Sequence, residues 1–246
     1  MVRWLVQIEG EKFDTEEFPY WFPSGNVYAV SEGEKVFLVG EGLDALDDAS
    51  LVHSVAVRAV EDFYAIICLL DSGIGKPLVG TVFREDDDGA RRGFVFLSGT
   101  AAGRSKARGV LDVSGQHQSR FLATQAQEFL EASKFNRHLQ VAVSLLAMPS
   151  ATWPHLYRCL EEIESFLGKR VNDAGYCSKG DRERFTRTAN TAEVSGMAAR
   201  HGLGKFKTPS NPISPGEARS FIRQVLQKTL ASVPRVEQAA QPTHQS

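Results

Sequence analysis

The sequence predicts an α+β fold: an N-terminal antiparallel sheet with one packed helix, followed by an all-α helical domain. The hydrophobic period is two residues in several segments before residue 110 and becomes helical after Leu111. The charge changes at the same place. Residues 1–110 carry 11 basic and 18 acidic side chains, a net of −7, whereas residues 111–246 carry 17 basic and 12 acidic, a net of +5. We therefore predict domains over 1–112 and 113–232 and a disordered tail over 233–246.

The N-terminal part contains strand patterns around one helix. In residues 2–9 every second side chain is apolar, and all but Leu5 of the others are polar, which is typical of a strand with one strongly apolar face. Two hairpins are predicted, each joined by a polar loop that contains glycine. Their strands are residues 26–30, 35–39, 77–84 and 92–97. Between the hairpins, residues 50–70 have apolar side chains at helical spacing. Ala56 and Ala59 are small enough to let this helix approach the sheet closely.

The C-terminal part has the period of helices. The predicted helices cover residues 118–133, 137–147, 153–167, 179–189 and 215–230. The third has the clearest apolar stripe, and Gly168 follows it as a C-terminal cap. The last begins with Ser214, Pro215 and Glu217, which form a Ser-x-x-Glu capping box with proline in the first turn.

Composition excludes several classes of protein. A net charge of −2 excludes a protein that coats nucleic acid by bulk charge. The most apolar stretch, residues 52–70, is interrupted by three charged side chains, which argues against a membrane span. The three cysteines are odd in number and far apart, as expected for reduced thiols. We therefore predict a cytoplasmic protein that has no membrane partner.

Motifs for metals, cofactors and common catalytic centres are missing from the sequence. It contains no Cys-x-x-Cys, His-x-x-x-His or His-Glu-x-x-His pattern and no Gly-x-Ser-x-Gly elbow. We predict no metal and no cofactor, and we lean towards a protein without catalytic activity. A catalytic set assembled in space from distant residues remains an alternative.

A glycine-rich segment after the second hairpin is a candidate anion loop. Residues 99–106 follow a predicted strand, and Arg104, Lys106 and Arg108 supply three cations beside the backbone N–H groups. The glycine spacing differs from that of a Walker A loop, and Arg104 stands in place of the lysine. The alternative is a basic connecting loop without a ligand.

The most distinctive stretch is residues 179–207, in which seven Lys and Arg side chains and one histidine accompany three acidic ones. Phe185 and Phe206 lie among these cations, and this combination suits phosphate contacts with base stacking, so nucleic acid is a candidate partner. The alternative is a solvated helix face, with Arg200 and His201 closing a helix where cations favour the carbonyl end.

Several motifs in the C-terminal part form a recognisable series. They are Trp153, Leu156-Tyr157-Arg158, Glu161, Ile163-Glu164, Phe185 to Asn190, Ala199-Arg200-His201-Gly202, Pro212, Ser214 and Glu217-Ala218. Through these motifs, residues 150–230 resemble a group of uncharacterised bacterial proteins that share a helical C-terminal region. More distantly, the Arg-His turn before the last capped helix is similar to HEPN-like domains of toxin and abortive-infection systems. That resemblance implies an all-α bundle, often dimeric, and in catalytic members an RNase that uses an Arg and a His with four to six residues between them. Here Arg200 and His201 are adjacent.

We therefore predict a non-catalytic binding or accessory protein of a bacterial defence or stress-response system. Its site for an anion or a partner consists of Arg187, Asn190, Arg200 and His201. A protein partner or a second copy of the chain is the expected occupant. One alternative is an RNA-directed nuclease, with His201 as general acid or base and an arginine stabilising the phosphorane charge. The other is a structural dimerisation module.

Overall fold

A computed structural model describes residues 3–70, 74–96, 115–191 and 209–234, with side chains from residue 123 in the third range. The described strands are β1 (Arg3–Glu9), β2 (Tyr28–Glu32), β3 (Lys35–Val39), β4 (Leu78–Glu85) and β5 (Arg91–Phe94). They form one antiparallel sheet in the order β2-β3-β1-β4-β5. Both predicted hairpins are present. The first turns at Gly33, whose φ of 61° favours glycine.

Helices make up most of the remaining structure, and the α+β prediction is confirmed. They are α1 (Lys12–Thr15), α2 (Phe18–Trp21), α3 (Glu41–Asp44), α4 (Ala49–Leu70), α5 (Gly115–Phe135), α6 (Arg137–Ala147), α7 (Trp153–Leu167), α8 (Lys179–Asn190) and α9 (Pro215–Ala231). The predicted capping box of α9 is formed, and Gly168 ends α7 in the left-handed conformation. Each long helix lies within about three residues of its prediction because apolar spacing and caps are local signals.

Helix α4 is the centre of the fold. It packs against β1 and β4 and also against α5 and α6. Ala56 is fully buried, as expected from its small size, and all residues from 63 to 69 are buried. One cluster of buried residues extends from Trp4 in the sheet to Leu230 in α9, so the sheet and the helices share a core. The predicted boundary at 112/113 lies outside the described residues.

The sheet is strongly curled. The Arg91 guanidinium in β5 donates to Glu32 in β2 at 2.7 and 3.2 Å. Four strand spacings separate these strands, about 19 Å in a flat sheet, which is further than the two side chains can reach. The concave face encloses a second apolar cluster of Leu5, Phe37 and Val39. Arg91 therefore joins the two outer strands above buried apolar side chains.

Gly40 should be among the least replaceable glycines, because its φ is +128° and a Cβ there would lie 2.5 Å from the Asn26 carbonyl oxygen. We expect Gly40→Ala to lower the free energy of unfolding by at least about 1–3 kcal/mol, the usual cost of backbone strain, with the clash adding to it. Urea unfolding measures this loss. Gly33→Ala is the matched control, since its φ of +61° is positive but its Cβ would meet nothing within 4 Å. Equal losses would show that the contact with Asn26 is unimportant.

An acidic side chain joins α6 to α7. Glu162 accepts from His138 Nδ1 at 2.7 Å and from Arg158 Nε, one turn earlier on α7, at 3.4 Å. The hydrogen bond from His138 is the main cause that lowers the pKa of Glu162 below its usual value of 4.5, with Arg158 adding to it. A lowered folded-state pKa means that this stabilisation is present above about pH 4.5 and is lost as the pH falls through the folded value.

We therefore expect Glu162→Gln to lower the free energy of unfolding at pH 6 and to lower it by less at pH 3. The loss should be about 0.2–1 kcal/mol, because the pair is near the surface. Urea unfolding at the two pH values provides the measurement. Glu34→Gln, at an exposed turn position, should change neither value. A loss of equal size at both pH values would assign the role of Glu162 to packing.

Candidate functional site

The predicted binding residues are only partly within the described structure. Arg187 and Asn190 lie three residues apart on α8. The Arg187 side chain is 68% exposed and donates to Glu183 at 3.4 Å. Asn190 is half-buried, and its Oδ1 accepts no hydrogen bond from the residues that the structure describes. The predicted binding residues Arg200 and His201 lie outside the described residues, as do the predicted anion-loop residues Arg104, Lys106 and Arg108.

Arg182 holds α8 to α7. Its Nε and Nη2 donate to the two carboxylate oxygens of Glu164 at 2.6 and 2.7 Å. Glu164 also accepts from the Val171 backbone N–H at 3.0 Å, which ties the loop after α7 to the same pair. This hydrogen bonding raises the pKa of Arg182 above its usual value. Arg182 therefore binds Glu164 within the fold, and its guanidinium is not available to a phosphate.

Arg184 has a similar role between α8 and α9. It donates to the carbonyl oxygens of Asn211 and Pro212 at 3.1 Å each, and its Nη2 lies 3.3 Å from Glu217 Oε1. Glu217 in turn accepts from the Ser214 backbone N–H at 2.8 Å. These hydrogen bonds lower the pKa of Glu217, those from Ser214 most strongly. Arg184 thus fixes the chain that leads into α9.

The expectation that Phe185 stacks on a base is wrong. Its side chain is fully buried, and its ring lies among Trp153, Tyr157 and Phe221 with centroid distances of 6.2, 6.3 and 5.3 Å. Burying a phenylalanine ring is strongly favourable, so the ring faces the core while the charged residues beside it face outwards. Phe206, the other aromatic residue of that prediction, lies outside the described residues.

A groove lies between α8 and α9, with a volume of about 480 Å³. We call it the α8–α9 groove. Its floor is apolar and consists of Ile213, Phe221 and Val225. Arg184 of α8 contacts Glu217 near the start of α9. Near the end of α9, Lys228 contacts the carbonyl oxygen of Tyr176, which precedes α8. The other lining residues are Tyr176, Cys177, Asp181, Ser220 and Gln224.

The charged groups of the groove differ in how they are partnered. Asp181 Oδ2 accepts from the Ser178 hydroxyl at 2.7 Å, at the N-terminus of α8. Lys228 Nζ donates to the Tyr176 carbonyl oxygen at 2.7 Å. An ammonium group has three N–H donors, so two of them have no acceptor among the described residues. No carboxylate of the described ranges lies within ion-pair distance of Lys228. Within the described ranges, Lys228 and Asp181 therefore both lack an oppositely charged partner.

Cys177 is a natural reporter of the groove. It is half-buried at the groove wall, and burial raises the pKa of its thiol. Cys68 and Cys159 are buried, and none of the three cysteines forms a disulfide. Burial also raises the pKa of Cys159. A thiol reagent should therefore modify Cys177 first.

Sequence reasoning missed the α8–α9 groove, although a signal for it existed. Glu217, Ser220, Gln224 and Lys228 follow one another at helical spacing along α9 and form a polar stripe beside its apolar one. That stripe by itself is typical of any solvated helix. The approach of α8 and of residues Tyr176 and Cys177 makes it one wall of a groove.

No group of three or more His, Cys, Asp or Glu side chains that would suit a metal ion occurs in the described ranges. Among the helices of those ranges, none is both long and apolar enough to cross a bilayer.

Comparisons with protein-family models, with curated proteins and with solved structures found no match to this chain. The resemblance to HEPN-like domains therefore stays a prediction.

Proposed function

We propose that this chain is a non-catalytic binding protein in which the α8–α9 groove receives a segment of a partner protein. The observation that supports this best is the groove itself: an apolar floor beside exposed Ser220, Gln224 and Lys228. Binding sites in proteins combine apolar surface with a few polar groups that orient the ligand. The volume of about 480 Å³ lies within the usual range for such sites.

The contacts of the basic residues in α8 favour a protein, rather than RNA, as the binding partner of this region. Arg182 and Arg184 are bound to acidic side chains and carbonyl oxygens, and the ring of Phe185 is in the core. Base stacking needs an exposed ring, which Phe185 does not offer. Two buried cysteines that form no disulfide suit a reducing compartment, so we propose that the protein is cytoplasmic. An accessory role in a bacterial defence or stress-response system remains our hypothesis from the sequence.

A blocking substitution tests the groove. Peptides are selected from a random display library on the full-length chain, and each is then measured against Ser220→Arg, which places a long side chain in the groove. Ser144→Arg is the matched control, because Ser144 is also exposed in the middle of a helix but lies on α6. We expect binding to survive in the control and to be lost in Ser220→Arg. A library that yields no binding peptide, or peptides that bind both variants equally, would contradict the proposal.

An RNA cleavage assay distinguishes the proposed function from that of an RNA-directed nuclease. Labelled RNA is incubated with the protein and with His201→Ala. Cleavage by the unmodified chain that His201→Ala abolishes would replace the proposed function with that of a nuclease.

A further inference from the structure

We propose that the salt bridges of Arg91 hold the β-sheet in its curled state, and that protonation of the carboxylates bound to Arg91 lets β2 and β5 move apart. We call Arg91, Glu32 and Glu85 the sheet clasp. Release of the clasp exposes an apolar face of the sheet that the curled state conceals. The sheet clasp contains no residue of the α8–α9 groove, so it is independent of the proposed function.

One set of apolar side chains occupies the concave face of the sheet. Side chains directly opposite each other in an antiparallel pair point to the same side. Leu5 is opposite Phe83, and Val30 is opposite Phe37. The other face of β1 and β4 packs against α4. The curled sheet therefore closes around apolar surface that a flat sheet would expose to water. The set consists of Leu5, Phe37 and Val39, which are almost completely buried, and Tyr28, Val30 and Phe83, which are partly buried.

Arg91 bridges the opening of the curled sheet. Its Nη1 and Nη2 donate to the Glu32 carboxylate of β2 at 2.7 and 3.2 Å, and its Nε donates to Glu85 of β4 at 2.5 Å. The guanidinium carbon lies 5.9 Å from the centre of the Phe37 ring, at the distance of a cation–π contact. In the described ranges, both hydrogen bonds between β2 and β5 belong to this one side chain. A single cation therefore joins the two outer strands.

The charges around Arg91 make the curled state depend on it. Glu32 and Glu85 bind the same guanidinium, so without that cation two neighbouring carboxylates would repel each other. The other charged groups that face the clasp from the described strands are both basic. Lys35 of β3 lies opposite Glu32, and Arg3 of β1 is 3.6 Å from Glu85. Neither of them contacts both outer strands, so neither replaces Arg91 as the bridge.

The clasp responds to acid because its bridge to β2 needs an ionised carboxylate. The hydrogen bonds from Arg91 are the main cause that lowers the pKa of Glu32 below its usual value of 4.5, with the charge of Arg3 adding to it. A lowered folded-state pKa means that this bridge is intact above about pH 4.5 and is lost as the pH falls through the folded value. A protonated Glu32 no longer attracts the guanidinium as an ion.

The test measures how far apart the two hairpin loops beside the clasp lie. Glu34→Cys and Ala90→Cys, both at exposed positions, are combined with Cys177→Ser in the full-length chain and are spin-labelled. Double electron–electron resonance at pH 6 should give one narrow distance. Glu32→Gln, which mimics the protonated carboxyl, and Arg91→Met should lengthen it by roughly 5 Å or more and broaden it, because the outer strands of a flat five-stranded sheet are about 19 Å apart.

Arg92→Met is the matched control. Arg92 is an exposed arginine of the same strand, and its side chain points to the other side of the sheet. Its removal should leave the distance unchanged. The fluorescence of the apolar dye bis-ANS should rise in Arg91→Met and not in Arg92→Met, because only the first variant uncovers the concave face. Circular dichroism checks that each variant is folded.

The direction of the pH effect distinguishes a clasp from an ordinary surface pair. With Arg91 present, lowering the pH from 6 to 3 should lengthen the distance. In Arg91→Met it should not lengthen further, because protonation there only removes the repulsion between Glu32 and Glu85. Unchanged distances at pH 6 in folded Glu32→Gln and Arg91→Met would overturn the inference. If Arg91→Met does not fold, the distance in Glu32→Gln at pH 6 decides it.

Discussion

Phe185→Ala is expected to lower the free energy of unfolding by about 3–5 kcal/mol, the usual cost of removing a buried aromatic ring from a core. The ring is fully buried among Trp153, Tyr157 and Phe221, and α7, α8 and α9 all contribute to its surroundings. Its removal leaves a cavity that these helices cannot fill without moving. Urea unfolding followed by circular dichroism measures the loss.

The matched control for this variant is Phe13→Ala. The Phe13 side chain is 63% exposed, so the same chemical change should alter the free energy of unfolding by no more than about 0.5 kcal/mol. Suppose that the unmodified chain bound RNA and that Phe185→Ala were equally stable but bound none. The ring would then be a stacking surface. The buried environment of Phe185 would then be incorrect.

Arg182→Ala should destabilise the protein by about 2–4 kcal/mol. Removing one partner of a buried ion pair costs about 3–5 kcal/mol, and the side chains of Arg182 and Glu164 are 19% and 18% exposed, which reduces that figure. Glu164 would also lose two charge-assisted hydrogen bonds while remaining bound to the Val171 backbone N–H. Chemical denaturation provides the measurement.

Arg187→Ala is the control, because Arg187 is a neighbouring arginine of the same helix whose described contact is a surface pair with Glu183. We expect a change below about 0.5 kcal/mol. Similar losses for the two variants would show that the Arg182–Glu164 pair does not hold α8 in place. The same two variants also help to interpret an RNA-binding assay. If Arg182→Ala bound less RNA, the loss could come from lower stability, whereas a loss in Arg187→Ala would report directly on a surface contact.

The fold class and the long helices could be predicted from the sequence because their signals are local. The apolar stripe of α7, the left-handed Gly168 after it and the capping box at Ser214 each involve residues within a few positions of one another. The repeat of apolar side chains at every second position of β1 is a local signal of the same kind, and so is the glycine in the first hairpin loop. The curling of the sheet has no such signal, since Arg91 and Glu32 are 59 residues apart.

The basic stretch shows the same division within one helix. By itself, the sequence determined that α8 is a helix, that it carries several cations and that Phe185 lies among them. Only the tertiary structure decided which cations are available to a ligand: Arg182 is bound by Glu164, Arg184 by Glu217 and two carbonyl oxygens, and Phe185 is in the core. The physical reason is that charge and hydropathy belong to each residue, whereas pairing and burial depend on chain segments that are distant in sequence. The α8–α9 groove, which includes Lys228, likewise depends on the packing of two helices that are distant in sequence.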